Sequence, residues 1–330
     1  MPDAQPIPPA MRDAVLAWYR TSGRVLPFRA TRDPYAILVS EVMAQQTQIA
    51  RVAEAWTRFI ARFPTFGALA AASPADVLRE WRGMGYNRRA LNLLRAARIV
   101  VAEHDGELPR DLHALEQLPG IGPYTARAVA ALAFGEPVGA VDTNVRRVLG
   151  RVSAGRDHAS LGTHELQVLA DAAIPHHAAG EWTHAMMDVG ATFCRPRDPL
   201  CVSCPAARWC RFATSGSGER PGERPAEGAR LAARRRSTPA FAARRRSTPP
   251  FAARRRSTPP FAATRRWLRG RVMDRLRDAD GDSWITFGEA VGEHDLPSVH
   301  EALAALAAEG LVELEASSAP SAPHARLARA

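Results

Sequence analysis

The sequence predicts a mainly α-helical chain, and three observations carry that reading. Between residues 11 and 213, apolar residues recur at mixed spacings of three and four, the period of a helical face. Alanine and leucine are frequent while aromatic residues make up 7%, a composition that favours helix over strand. Nothing in that stretch alternates like a sheet. The length of 330 residues suits two ordinary domains, and an apolar content of 46% suffices for a sizeable core.

The elements follow in order. Met1 to Ala10 is Pro-rich and lacks the apolar centre of a signal peptide. Ala14–Arg20 reads as a short amphipathic helix. Pro34–Ala61 sets Ile37, Leu38, Val42, Ile49, Val52, Trp56 and Phe59 at helical spacing and reads as one helical segment. Ser73 is a candidate N-cap, with Pro74 at the first helical position, for a helix over Ala75–Arg82. Further helices fit Arg88–Glu103, Leu112–Gln117, Tyr124–Phe134, Asn144–Arg151, His164–Ile174 and Trp182–Ala191.

From Thr214 to Pro260 the composition turns to Gly, Ser, Pro, Glu and Arg. A ten-residue unit recurs over Leu231–Ala240, Phe241–Pro250 and Phe251–Pro260. It is too short and too polar to bury a core, so residues 214–263 read as a disordered linker. Its three Arg triplets would also collect phosphates in a salt-dependent way. Order returns over 264–316. Helices fit Arg266–Arg277, Gly288–His294 and Ser298–Ala308, with short strands at Trp284–Thr286 and Gly310–Leu314. This resembles a winged-helix module. The helix in the recognition position carries His300 and Glu301 and no arginine, which suits packing or protein binding at least as well as DNA. Residues 317–330 read as a disordered tail.

The net charge is +10, but it is unevenly placed. Residues 213–262 hold twelve arginines against three glutamates, which leaves the remainder near +1. Nucleic-acid binding therefore has to be argued from local residues. No apolar run reaches the length of a membrane span, and the chain reads as cytoplasmic and monomeric.

All four cysteines fall in one run, Cys194-x6-Cys201-x2-Cys204-x5-Cys210. Four thiolates at this spacing can close around one tetrahedral metal ion or a cuboidal cluster, in a reducing compartment. The spacing does not fit the two separated pairs of a zinc ribbon. The run resembles the cluster loop of the endonuclease III and MutY glycosylase superfamily. That resemblance implies a two-lobed helix-hairpin-helix glycosylase domain over 11–213, with a [4Fe–4S] cluster in loop 194–210. Arg195 and Arg197, between the first two cysteines, would then face a phosphate backbone.

Three further motifs carry the same resemblance. Leu118-Pro-Gly120-Ile-Gly122-Pro-Tyr124 makes a tight turn whose amides open a helix, a ready anion site. It is similar to the helix-hairpin-helix motif, which grips a backbone phosphate, aided by a monovalent cation on main-chain carbonyls. Asp142 stands where the superfamily places its catalytic aspartate. Ser40-Glu41-Val-Met-Ala-Gln-Gln46-Thr47 resembles the S-E-V-M-x-Q-Q-T motif of adenine glycosylases, whose glutamate pyrimidine-specific relatives generally lack. Gly83-Met-Gly-Tyr86 resembles the loop that wedges an aromatic into the duplex. By resemblance, Gln46 and Tyr86 are the wedge candidates, with Thr47 beside them.

The chemistry these residues imply is removal of adenine mispaired with 8-oxoguanine or guanine in double-stranded DNA, at the nucleoid. Glu41 is the candidate acid for adenine N7, and burial would raise its pKa. Asp142 is the candidate carboxylate for the sugar cation. Tyr124 and Asn144 stand where the family places polar supports. Leu26-Pro-Phe28-Arg29 resembles the segment lining the adenine pocket, with Phe28 in place of the common Trp. His184 stands where close relatives have Glu or Gln, and Thr143 replaces a common Gly. All 44 basic residues are arginine. Bifunctional relatives need a lysine after the hairpin, so the resemblance implies a monofunctional enzyme without efficient strand cleavage. Residues 264–316 are too short and too helical for the Nudix-like domain of many adenine glycosylases.

Two other readings stand beside this one. A thymine–guanine mismatch glycosylase of the same superfamily would share the cluster and Tyr124, but thymine has no N7 for Glu41 to protonate. A non-catalytic DNA-binding protein with a structural cluster would have no need of both Glu41 and Asp142.

Overall fold

The computed structural model describes residues 4–155, 161–215, 260–281, 283–316 and 321–329. Most of the expected repeat linker, residues 216–259, lies outside them. The helices of the first part are α1 (Pro9–Ser22), α2 (Pro34–Ala44), α3 (Ile49–Arg62), α4 (Phe66–Ala70), α5 (Pro74–Glu80), α6 (Arg88–Glu103) and α7 (Leu112–Gln117). They continue with α8 (Pro123–Ala133), α9 (Thr143–Ala154), α10 (Thr163–Ala173), α11 (Ala179–Thr192) and the single turn α12 (Arg211–Thr214). No described helix is long and apolar enough to cross a membrane.

The helices build two lobes with separate cores. Phe59, Trp81, Leu38, Leu93 and Leu94 centre the first, which α2 to α8 enclose. Met11, Val15, Leu149, Trp182 and Met186 belong to the second, made by α1 together with α9, α10 and α11. The chain thus begins in one lobe, builds the other, and returns. An ion pair between Arg20 and Glu181, at 2.7 Å, closes α1 onto α11.

Local chemistry sets the helix ends. Asp33, Thr65, Ser73, Asp111 and Asp142 each accept a backbone N–H at the start of a helix, and proline opens α2, α5 and α8. The segment expected as one helix over 34–61 is two. Helix α2 stops at Ala44, and Gln46 takes a left-handed φ of 54° before α3 begins. The cause is remote in sequence. Nη1 of Arg89 donates to the carbonyls of Val42, Met43 and Gln45, which satisfies the open end of α2 without another turn.

A third region follows residue 260: α13 (Arg265–Asp278), β1 (Ile285–Thr286), α14 (Leu296–Ala308), β2 (Val312–Leu314) and β3 (His324–Leu327). The strands form an antiparallel sheet in the order β1-β3-β2. Two expectations are corrected. Gly288–His294 is not helical but a turn, with a bridge between Val291 and His294 and Gly292 at φ 62°. The Trp267 indole lies where a Cβ on Gly292 would sit, 2.5 Å away, so the bare backbone is needed there. The tail expected as disordered contributes β3, the middle strand. Ala325 and Leu327 face inward from it, and Arg326 pairs with Glu313 across the ladder at 2.7 Å. The core of this region is continuous with that of the first lobe.

Candidate active site

Glu41 sits on α2 in the first lobe, while Asp142 caps α9 in the second, so the two carboxylates meet in the cleft between the lobes. Glu41 is only 8% exposed, among the apolar side chains that make α2 buried over most of its surface. Burial pushes its carboxyl up to about 7, and the nearby negative charge of Asp142 adds to that rise. The Tyr124 hydroxyl, from the first turn of α8, donates to Glu41 Oε2 at 3.2 Å and offsets part of the rise. Burial also lifts the Tyr124 phenol well above its ordinary range, so it stays a proton donor to the hydrogen bond.

Asp142 is held by both oxygens. One accepts from the Val145 amide at 2.6 Å, as an N-cap, and the other from Asn144 Nδ2 at 3.1 Å. A helix N-terminus favours negative charge at that place. Asn144 is fixed in turn by Arg147, which donates to its Oδ1 at 2.8 Å and also to the carbonyls of Gly190 and Cys194. Gly190 is required here, since a Cβ on it would come within 2.5 Å of the Asn144 Cβ.

The wall opposite is a charge cluster. Asp188 is fully buried and receives Arg29 through two hydrogen bonds of 2.9 Å, with Arg24 at 2.5 Å. Burial opposes its ionisation, but the hydrogen bonds from Arg29 and Arg24 prevail and hold it below the usual carboxylate range. Burial and the neighbouring Arg29 drive His184 down to about 3, so its ring is neutral at physiological pH. Phe28 does not offer a free face: it is buried in the first core, edge-on to Trp56.

Gln46 and Tyr86 come together as two exposed loop tips, and both have left-handed backbones, φ 54° and 45°. Non-glycine residues adopt that conformation at a cost, so the surroundings must hold it. Arg89 does so. Beyond the carbonyls that end α2, it donates to Thr47 Oγ1 and to the carbonyls of Met84 and Gly85, and its guanidinium lies 5.6 Å from the Tyr86 ring centre. Gly120, at φ 82° and pressed against Asn92, and Gly122, the N-cap of α8, form the hairpin between α7 and α8. Gln45 Nε2 donates to Thr125 Oγ1 at 3.2 Å and ties the loop carrying Gln46 to the first turn after that hairpin.

The four cysteines line one hollow with Val148, Arg151 and Phe212. Among the described residues, no three His, Cys, Asp or Glu side chains converge tightly enough to hold a single metal ion. Burial pushes the Cys204 thiol up to about 12 and raises Cys201 and Cys210. Such thiols ionise only beside a strong positive charge. Arg195 and Arg197 are exposed on the loop, and Arg195 donates to the Asp198 carbonyl.

Sequence reading did not pick out Arg89, Arg147 or Asp188. Only Asp188 left a trace, as a carboxylate inside the apolar helical run Ala185-Met-Met-Asp-Val-Gly190.

Residues 39–168 match the model of the HhH-GPD superfamily, described as base excision DNA repair proteins. The chain is 44% identical over 203 residues to the adenine DNA glycosylase of Mycolicibacterium smegmatis, covering 61% of this chain and 69% of that protein. Among solved structures it resembles a thermostable thymine-DNA glycosylase, at 30% identity and a TM-score of 0.58, over 62% of this chain and 95% of the other. It also resembles endonuclease III in a non-covalent DNA complex, at 26% identity and a TM-score of 0.54, over 62% and 94%.

Proposed function

The chain belongs to the HhH-GPD superfamily of base excision DNA repair proteins and, within it, to the MutY family of adenine DNA glycosylases, and on that premise we propose that Glu41, Tyr124 and Asp142 are the groups with which it releases adenine. Its activity is that of a base excision repair glycosylase acting on adenine. The observation that carries the residue assignment is the Glu41 carboxyl, buried and poised at about 7, with Tyr124 on one oxygen and Asp142 across the cleft.

Adenine leaves poorly as an anion. Protonated Glu41 gives its proton to N7 as the N-glycosidic bond breaks, and the bonding electron pair departs with the base. The sugar carbon left behind is cationic, and the Asp142 carboxylate offsets that charge. Glu41, now ionised, takes a proton from water as the hydroxyl adds to the sugar carbon, which leaves an abasic site. Tyr124 aims Glu41, and Asn144 with the helix cap aims Asp142. No lysine is present to form a Schiff base, so the strand is left unbroken.

The target base has to leave the stack first. Arg29, fixed by Asp188, and neutral His184 wall the pocket that receives it, with Phe28 as support beneath. Gln46 and Tyr86 enter the duplex, with Thr47 bracing their loop. The amides at Gly120 and Gly122 grip a phosphate, with a monovalent cation on the hairpin carbonyls. The substrate is double-stranded DNA with adenine opposite 8-oxoguanine or guanine, bound by a monomer. Residues 11–213 are the glycosylase domain, and 214–263 link it to the C-terminal region.

Cys194, Cys201, Cys204 and Cys210 suit a [4Fe–4S] cluster. Their spacing does not fit the two separated pairs of a zinc ribbon. When bound, the cluster supplies four iron–thiolate bonds that fasten loop 194–210 and a centre able to exchange an electron. Arg195 and Arg197 then face the DNA backbone.

Single-turnover base release tests the assignment, on matched duplexes with adenine opposite 8-oxoguanine, adenine opposite guanine, and thymine opposite guanine. Adenine release from the first two, without strand breakage, is expected. Thymine release with adenine untouched would overturn it.

A further inference from the structure

The C-terminal region is docked on the loop that carries Tyr86. Arg277, buried near the end of α13, donates to the Leu78 carbonyl and to Asn87 Oδ1, both at 2.9 Å. Arg82 pairs with Asp278 at 2.5 Å, and Arg79 reaches the Gly281 carbonyl. Asn87 is the residue after Tyr86. The attachment therefore grips the wedge loop at its base and sets how α13 runs past it.

Arg266 lies eleven residues before Arg277, three helical turns away on the same face, and about 16 Å along the axis. Its guanidinium sits 5.6 Å from the Tyr86 ring centre, the same distance as that of Arg89. Its neighbours are neutralised: Arg265 pairs with Glu301 at 2.9 Å and Arg269 with Glu309 at 2.7 Å. Arg266 is exposed and forms no ion pair among the described residues. On the other side of the loop, exposed Arg51 donates to the Gly83 carbonyl at 3.3 Å, likewise without an ion pair among the described residues. Glu301 of α14 and Glu309, the residue that caps its end, both hold α13. The helix in the recognition position is thus a packing element, and of the two α13 arginines without an ion pair among the described residues, Arg266 and Arg275, it is Arg266 that sits beside the exposed tyrosine.

We propose that the C-terminal region is part of the DNA-binding face, and that Arg266 contacts a backbone phosphate beside the base step that Tyr86 enters. A guanidinium resting on the ring arrives at the duplex with it. The neighbouring phosphates are the nearest anions there, and a guanidinium can stay over an aromatic face while it donates to a phosphate oxygen. The proposal rests on the reading of Tyr86 as the wedge.

The test uses the full chain and fluorescence anisotropy over a salt series. The probe is a duplex with a tetrahydrofuran abasic analogue opposite guanine, and the fully paired duplex is the reference. Losing one phosphate contact makes the dependence of log K on log salt shallower by about 0.9 and weakens binding about fivefold at physiological salt. Arg266→Ala is expected to show both effects, and Arg266→Lys to regain the slope. Unchanged affinity and slope would overturn the proposal. So would weaker binding with an unchanged slope, since Arg266 would then act only by packing on the ring. Tyr86→Ala reports separately on the wedge: it should erase the preference for the abasic-analogue duplex. If that preference survives, the wedge reading fails, while the Arg266 slope still decides the phosphate contact.

Discussion

The Tyr124 hydroxyl donates to Glu41 Oε2 at 3.2 Å, across the seam where α8 meets α2. The bond points a carboxyl that burial has pushed up to about 7. Base release should therefore fall as pH rises through about 7, as the proton on Glu41 is lost. Glu41→Gln should slow single-turnover release by at least about 10²-fold and remove that limb of the profile.

The same carboxyl bears on stability, with opposite sign to a salt-bridged acid. Because its folded pKa lies above the unfolded value, the native state holds the proton longer. Stability is lost as pH rises from the unfolded pKa to about 7, and the full cost applies above that. Glu41→Gln should raise the midpoint of urea unfolding at pH 8 by an amount worth on the order of 3 kcal/mol, and change it little at pH 4.

Asp142 caps α9 and carries the charge proposed to face the sugar cation, and one substitution separates these roles. Asparagine caps helices about as well as aspartate. Asp142→Asn should leave thermal unfolding nearly unchanged while base release drops by about 10² or more.

Arg89 ends α2 and holds both left-handed loop tips. Burial lowers it to about 10, so it remains charged at neutral pH. Arg89→Ala leaves several carbonyls without a donor and should cost about 2–4 kcal/mol in denaturant unfolding. Hydrogen exchange should quicken at residues 45–48 and 83–86 before anywhere else in the first lobe.

The cysteine loop makes a stoichiometric prediction. Protein purified without oxygen should contain about four irons and four acid-labile sulfides per chain. Cys204→Ser should lower both and destabilise the second lobe, whose core includes Cys210 and Ala206. Stoichiometric zinc in place of iron would remove the cluster assignment.

Helices with local signals were legible in the sequence. Caps such as Ser73, openings such as Pro34, and periodic apolar faces located most of the longer helices to within a few residues, while α1 begins five residues before the expected start and the short α4 and α12 were not anticipated. The break at Gln46 was not legible, because glutamine is a good helix former and the guanidinium that ends α2 comes from Arg89. Strand β3 escaped because four residues that include a histidine and an arginine carry no strand signal until a ladder supplies their partners. At the candidate site, motif residues such as Glu41 and Tyr124 were found by resemblance. Their supports were not, because Arg147 and Asp188 act through contacts 40 to 160 residues away in the chain.

The order in which the two lobes are threaded bears on biosynthesis. Helix α1 is made about 160 residues before its partner α11, roughly 10–30 s at ordinary elongation rates. Through that interval Met11, Val15 and Leu16 have no native surface to bury them, while the first lobe, contiguous in sequence, can already fold. A nascent chain stalled between the lobes would present a folded first lobe with one sticky helix left exposed beside it.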